Sequence, residues 1–88
     1  MYYVYMIKNA GNSLYIGITE NIKNRVGYHN TKQGSQFTKN RSVFRVVFKE
    51  EYKTLAETRR REIQIKKWRR DKKEMLIQRY AAGLPTKI

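Results

Sequence analysis

Two short runs of β-branched and aromatic residues at the start of the chain constrain its fold more than any other feature. They cover residues 2–7 and 14–19, and the sequence Asn-Ala-Gly-Asn occupies positions 9–12 between them. Runs of this length and composition are typical of strands, and a cluster of Asn and Gly residues predicts a tight reversal. The chain is therefore expected to begin with an antiparallel hairpin.

Three further segments follow the hairpin. Ile22 and Val26 have the i, i+4 spacing of a helix face, so residues 21–30 are predicted to form a short helix. Residues 31–41 are polar and basic without a period, which predicts a flexible basic loop. Residues 43–48 are apolar on both faces, which predicts a third strand covered on both sides.

Two capping signals divide the C-terminal half into helices. Thr54 and Glu57 form a capping box, which predicts a helix that ends near residue 67. Asp71 and Glu74 repeat the pattern and predict a helix through residue 80, after which Gly83 suits the left-handed cap position. The predicted order is β-β-α-β-α-α in a single domain over residues 1–88. This order defines an α+β class with a small three-stranded antiparallel sheet flanked by helices.

The charge balance points to the kind of partner. The chain has 88 residues with 20 Lys and Arg against 7 Asp and Glu, a net charge of +13. Such an excess creates a field that attracts polyanions, namely DNA, RNA or an anionic membrane. A membrane-surface helix needs a large apolar face, which the basic helices here lack. Nucleic acid is therefore the expected partner, and no membrane is expected.

The metal-ligand inventory is small. The absence of cysteine excludes disulfides and thiolate sites, and the single histidine, His29, excludes a multi-His zinc site. A metal would have to be a hard, oxygen-preferring ion with few protein ligands. No signal-peptide pattern and no apolar run of about 20 residues is present, so a cytoplasmic location is expected.

Glu62 is the first candidate functional residue. At about 100° per residue it falls on the same helix side as Leu55, Ile63 and Ile65, and a carboxylate in an apolar arc costs free energy unless something binds it. The alternative is an ordinary surface pair with Lys66, which lies at i+4. The sequence leaves both interpretations open.

Two further sets of candidate functional residues lie near the N-terminus: an arginine–histidine pair and three tyrosines. Arg25 and His29 share one face of the first helix, where an arginine can grip a phosphate and a histidine can transfer a proton. Tyr3 and Tyr5 share one face of the first strand, and Tyr15 lies on the adjacent strand. The alternatives are a solvated cation, a helix-end histidine and ordinary aromatic packing.

A glycine, a tryptophan and a set of basic residues complete the candidates. Gly17, inside a strand, predicts close approach by another backbone or a ligand, or else a bulge. Trp68 is expected to pack in the core or between helices, with base stacking as the alternative. The basic residues predicted to contact nucleic acid are Lys23, Lys32, Lys39, Arg41, Arg59 and Lys66.

Taken together, these residues resemble the GIY-YIG nuclease superfamily, and in particular its small stand-alone bacterial members. Residues 3–5 (Tyr-Val-Tyr) stand where that family has Gly-Ile-Tyr, and residues 15–17 match Tyr-Ile-Gly as they stand. Arg25, His29 and Glu62 follow in the order and elements of the family pattern. The first-motif glycine is replaced by Tyr3, and the chain has no asparagine after Glu62.

The resemblance implies a divalent-metal-dependent endonuclease, structure-directed or non-specific, with a possible place in DNA repair or recombination. Glu62 would hold one Mg²⁺ or Mn²⁺, and Arg25 would neutralise the scissile phosphate. Tyr5 would deprotonate water with its pKa lowered by nearby cations, while Tyr15 and His29 position or relay the proton. DNA is favoured over RNA as substrate, and a monomer is expected.

Two other functions stay open at this stage. The missing asparagine favours a nuclease-like fold that binds nucleic acid without cutting it. A basic structural protein associated with RNA or the ribosome would use the tyrosines as core residues, but would leave Glu62 unexplained.

Overall fold

The computed structural model describes the backbone of residues 1–34 and 43–87, and the side chains of residues 1–30 and 43–87. Three strands form one antiparallel sheet in which the first strand of the chain lies between the second and the third, which confirms the predicted α+β class and element order. The elements are β1 (Tyr2–Lys8), β2 (Leu14–Thr19), α1 (Ile22–Gly34), β3 (Arg45–Tyr52), α2 (Leu55–Lys66) and α3 (Arg70–Ala81). Within this part of the chain, no helix has the length and apolar content to cross a bilayer.

The β1–β2 hairpin forms where the sequence predicts it. The Asn9 side-chain oxygen accepts a hydrogen bond from the Ser13 backbone N–H at 2.9 Å, and Asn12 takes a positive φ of 69°. Asparagine tolerates that left-handed conformation better than most residues, which explains the turn composition. The resulting register places Tyr5 directly opposite Gly17.

Side-chain alternation divides the core into two clusters on opposite faces of the sheet. The larger cluster packs α2 and α3 on the sheet and consists of Val4, Met6, Ile16, Phe48, Ile65 and Leu76. The smaller cluster consists of Tyr5, Ile7 and Phe44, with Tyr15, Ile22 and Val26 packed against it. Most apolar burial therefore lies on the α2–α3 face, while the face next to α1 carries the candidate residues Tyr5 and Tyr15.

The helix boundaries confirm one capping box and contradict the other. The Glu57 backbone N–H donates to the Thr54 hydroxyl oxygen at 3.2 Å, as expected for an N-cap. Asp71 does not cap α3, because Arg69 occupies the cap position without a side-chain hydrogen bond. Gly83 has the expected left-handed φ of 73° and follows the C-cap of α3, where the Leu84 N–H reaches the Arg79 carbonyl at 2.9 Å.

Other predicted boundaries also need correction. Helix α1 begins as predicted but continues to residue 34, so the first part of the expected loop is helical and the rest lies outside the described residues. Strand β3 covers Arg45–Tyr52 rather than residues 43–48, and it is not covered on both sides. Val46 is 36% exposed, so its face of β3 is only partly covered, and the pairing of β3 with β1 shifts register after Met6.

A buried ion pair fastens β3 to α2. Arg61 donates to both Glu50 carboxylate oxygens, at 2.9 and 3.1 Å, and to the Thr86 carbonyl at 2.8 Å. Burial disfavours the charged form of Glu50, but hydrogen bonds from Arg61, Thr86 and Tyr52 outweigh it and hold its pKa below the usual value. This pair also ties the segment after α3 to the domain.

Candidate active site

The candidate site is centred on the contact between Tyr5 and Gly17. Tyr5 is fully buried, and a Cβ atom added to Gly17 would lie 2.7 Å from the Tyr5 hydroxyl oxygen. The predicted close approach at Gly17 is therefore real, but a side chain makes it, neither a backbone nor a ligand. The described sheet has its register shift in the β1–β3 pairing, so Gly17 is not a bulge.

An aromatic chain connects Tyr5 with α1. The Tyr5 and Tyr15 ring centroids are 6.2 Å apart, and the Tyr15 and His29 centroids are 4.5 Å apart in an edge-to-face arrangement. Phe44 closes the chain on the other side of His29 at 6.3 Å. Edge-to-face contacts of this kind fix ring orientation, so β2, α1 and the approach to β3 jointly position the His29 imidazole.

The electrostatics of Tyr5 correct one expectation. Burial raises the pKa of Tyr5 above 10.0, and the negative charge of Glu62 adds to that rise, while the Arg25 guanidinium lowers it. The nearby cations therefore do not bring the pKa down, because desolvation outweighs the one exposed arginine. Among the described residues, the Tyr5 hydroxyl has no partner of full hydrogen-bond geometry, so Arg25 acts on it through its positive charge.

Glu62 lies at the edge of the buried face of α2. Its side chain is 16% exposed, and its carboxylate is 3.3 Å from the Lys66 ammonium. The apolar arc predicted around it is wrong, because Leu55 and Ile63 are 40% and 51% exposed. The buried residues of α2 are Thr58, Arg61 and Ile65, of which two are polar. The pair with Lys66 exists, and Glu62 is also near enough to act on Tyr5.

The residues present fit a hard divalent ion in a minimal site. Glu62 offers a partly exposed carboxylate beside the Tyr5 cluster, and carboxylate oxygen is the donor type that Mg²⁺ prefers. The described residues contain no group of three or more acidic or histidine side chains that would form a protein-only cage. A single carboxylate with water and phosphate completing the shell is the arrangement that this donor set allows.

Sequence reasoning missed three residues at the site. The Asn30 side chain accepts from the Phe44 N–H at 2.6 Å and donates to the Phe44 carbonyl at 2.9 Å, which holds Phe44 beside His29. Tyr28 is 58% exposed with its ring 6.4 Å from His29. Lys49 is exposed on β3 directly opposite Tyr5. Only the tertiary pairing of β1 and β3 with α1 reveals these positions.

The predicted nucleic-acid contacts are partly described. Lys23, on the first turn of α1, and Arg59 and Lys66, on α2, are exposed. Lys66 is the partner of Glu62, so it is adjacent to the candidate metal ligand. The Lys32 side chain, Lys39 and Arg41 lie outside the described residues.

Comparison with known proteins gives the class. The sequence pattern that defines the GIY-YIG catalytic domain family matches residues 1–75 of this chain. The chain belongs to this nuclease family. The match runs from the first strand through Glu62 and into α3, so it includes every residue of the candidate site.

Several small bacterial proteins are similar over nearly their whole length. A UPF0213 protein of Staphylococcus haemolyticus is 38% identical over 77 residues, which cover 88% of this chain and 94% of that protein. A UPF0213 protein of Staphylococcus aureus is 40% identical over 76 residues, with coverages of 86% and 93%. The solution NMR structure of a UPF0213 protein from Bacillus halodurans is similar at a TM-score of 0.57 and 32% identity, covering 89% of this chain and 84% of that one.

Proposed function

We propose that this protein is a divalent-metal-dependent endonuclease that hydrolyses phosphodiester bonds in DNA, in a structure-directed or non-specific way. The observation that carries the proposal is the grouping of five side chains centred on Tyr5: Tyr15, Arg25 and Glu62 act on Tyr5 directly, and His29 packs on Tyr15. These side chains come from two strands and two helices, so core packing alone does not require their particular chemistry.

The proposed reaction has three chemical requirements. Phosphodiester hydrolysis needs an in-line water, stabilisation of the phosphoryl oxygens and help for the leaving oxygen. The exposed Arg25 guanidinium is suited to hold the scissile phosphate through two parallel hydrogen bonds. Glu62 would hold one Mg²⁺ or Mn²⁺, and such an ion would supply a Lewis acid for the leaving oxygen and offset the carboxylate charge that acts on Tyr5.

Tyr5, as tyrosinate, takes the proton from the attacking water, and Tyr15 with His29 orients the water or relays the proton. The water oxygen bonds to phosphorus, the bond from phosphorus to the 3′ oxygen breaks, and the leaving oxygen takes a proton from solvent water to become a hydroxyl. The products are a 5′-phosphate and a 3′-hydroxyl. Since burial raises the pKa of Tyr5 in the free protein, the positive charges of Arg25 and of the bound metal would have to lower that pKa before Tyr5 becomes an effective base.

Two observations favour a second candidate, a module that binds nucleic acid without cutting it. The Tyr5 hydroxyl is buried and its pKa is raised, so the free protein has little tyrosinate near neutral pH. The chain also has no asparagine after Glu62. A binder would keep the basic surface and Arg25 but would show no metal-dependent product.

The test is incubation of the protein with labelled single-stranded, duplex, flapped and branched DNA and RNA. Each substrate is offered with Mg²⁺, with Mn²⁺ and with chelator. Cleavage that needs the metal and leaves 5′-phosphate ends supports the nuclease. Binding to every substrate without cleavage of any of them would replace the nuclease with the binding module.

A further inference from the structure

A second groove lies away from the Tyr5 cluster, between α2 and the α2–α3 connection. Its volume is about 730 Å³, within the roughly 300–1,000 Å³ typical of ligand sites. Its lining includes Tyr52, Arg60, Ile63, Gln64, Lys67 and Trp68. None of the five residues of the candidate active site contributes to it.

The groove and Glu62 occupy opposite sides of α2. Arg60, Gln64 and Lys67 recur at helical spacing along one stripe. At 3.6 residues per turn, Glu62 points about 180° away from the centre of that stripe. The groove is therefore a separate surface, not an extension of the candidate active site.

Trp68 offers an aromatic face in this groove. Its side chain is half-buried, packs against the main core and also lines the groove. Lys72 places its ammonium 4.2 Å from the ring centroid, and the Arg61 guanidinium carbon lies 5.2 Å away. Within the described chain Lys72 forms no ion pair, so its flexible side chain can give way to a stacking ring.

The charges around Trp68 favour an anion. Glu50 already neutralises Arg61, and the Glu57 carboxylate accepts a hydrogen bond from Thr54. Arg60 and Lys67 are exposed and make no ion pair with any described residue. With Lys72 nearby, the groove has free cations around an aromatic face and one acidic side chain.

We infer that this Trp68 groove binds a single-stranded segment of nucleic acid, with one unpaired base stacked on Trp68 and its phosphates near Arg60 and Lys67. An aromatic surface surrounded by cations is the combination that binds single strands, because every base has a face that stacks and a backbone that is anionic. A duplex keeps its bases stacked on each other and cannot present one to Trp68. The inference rests on the proposed function in that the ligand is a nucleic acid.

The outer face of α2 connects the two sites. Arg59, Arg60, Lys66 and Lys67 are exposed there, and Ile63, 51% exposed, lies among them. Lys66 lies seven positions after Arg59, a rise of about 10 Å along the helix axis. A strand held at Trp68 can therefore cross a basic surface towards Glu62, which would select substrates with an unpaired segment beside the cut.

Trp68 is the single tryptophan of the chain, so its fluorescence reports directly on the groove. The experiment titrates full-length protein in chelator with a ten-nucleotide oligothymidylate and with a blunt ten-base-pair duplex. Fluorescence anisotropy of the labelled nucleic acid measures occupancy in parallel. At equal occupancy, we expect the single strand to quench Trp68 emission strongly and the duplex to leave it unchanged.

Charge reversals locate the effect without altering the core. Arg60→Glu combined with Lys67→Glu should remove the quenching and lower single-strand affinity by about five- to 160-fold, the range expected when one base no longer stacks. Lys23→Glu, on α1, should weaken binding while keeping full quenching at saturation. Trp68→Leu should show the same loss of affinity. If this variant does not fold, the Arg60→Glu and Lys67→Glu double variant alone tests whether the groove binds the strand.

Each contrary result has its own meaning. Single-strand binding with unchanged Trp68 emission would overturn the groove and leave the proposed nuclease standing. Equal quenching by the duplex at equal occupancy would overturn the selection of single strands. Failure to bind any nucleic acid would contradict the proposed function itself.

Discussion

Tyr5 and Gly17 face each other across the β1–β2 pairing, and the Tyr5 ring occupies the space that a side chain at position 17 would need. A Cβ there would lie 2.7 Å from the hydroxyl oxygen and 2.9 Å from the ring carbon that bears it. Gly17 therefore sets the position of the proposed base, Tyr5. Through this contact the motif at residues 15–17 positions the motif at residues 3–5.

Gly17→Ala should displace Tyr5 and lower the free energy of unfolding by about 1–3 kcal/mol, the usual cost of overpacking. Gly27→Ala is the matched control, because a Cβ at Gly27 meets nothing within 4 Å. Gly27 lies within α1, so alanine there should stabilise the protein by about 0.5–1 kcal/mol. Thermal melting of both variants checks the pair, and equal stability changes would contradict the contact.

Tyr5→Phe should leave stability within about 1 kcal/mol of the original, because the buried hydroxyl lacks a well-formed hydrogen bond among the described residues. Cleavage should fall steeply. Because the pKa of Tyr5 is raised, the original protein should cut about tenfold faster per pH unit between roughly pH 7 and 9. Rate–pH profiles test this, with Tyr80→Phe on the opposite face of the sheet as control. Cleavage by Tyr5→Phe at the original rate would show that another group is the general base.

Sequence patterns predicted the parts of the fold that local chemistry determines. The hairpin turn, the Thr54 cap and the left-handed Gly83 depend on neighbours within a few residues. The capping box predicted at Asp71 does not form, and the reason involves Lys8, a residue far away in the sequence. The Glu74 carboxylate that would complete the box is 2.7 Å from the Lys8 ammonium and is also bound by Arg70.

The candidate site shows the same division. The order of the motif residues was readable, but the setting of Glu62 was not. Apolar Leu55 and Ile63 are exposed, while polar Thr58 and Arg61 are buried. Arg61 is buried because Glu50, on another element, satisfies it, and no helical period in a single sequence encodes that partner.

Glu50→Gln should lower the free energy of unfolding by about 3–5 kcal/mol, because it leaves the buried Arg61 without its counter-charge. Glu74→Gln, at a more exposed pair, should cost less. Because the folded pKa of Glu50 is lowered, its contribution is present above about pH 4.5 and is lost as pH falls through the folded value. Denaturant unfolding at pH 7 and pH 3 measures this, and a Glu50→Gln protein as acid-sensitive as the original would contradict it.

Nucleic-acid affinity should fall steeply with salt. Each neutralised duplex phosphate contributes about −0.9 to the slope of log affinity against log salt, so four to six contacts predict roughly −4 to −5. The net charge of +13 and the exposed Lys23, Arg59 and Lys66 motivate this number of contacts. Anisotropy titrations across salt concentrations give the slope; a flat dependence would contradict a polyanion partner.

The central claim is that Glu62 holds the metal, and Glu62→Gln tests it most directly. Cleavage time courses with Mg²⁺ are compared for the original protein, Glu62→Gln and Glu74→Gln, which loses the same charge from another i, i+4 pair. We expect Glu62→Gln to abolish cutting and to bind nucleic acid as well as the original protein or better. Its free energy of unfolding should lie within about 0.2–0.5 kcal/mol of the original value, the size of one i, i+4 ion pair. Glu74→Gln should keep cutting. Undiminished metal-dependent cleavage by Glu62→Gln would show that its carboxylate serves only the ion pair with Lys66.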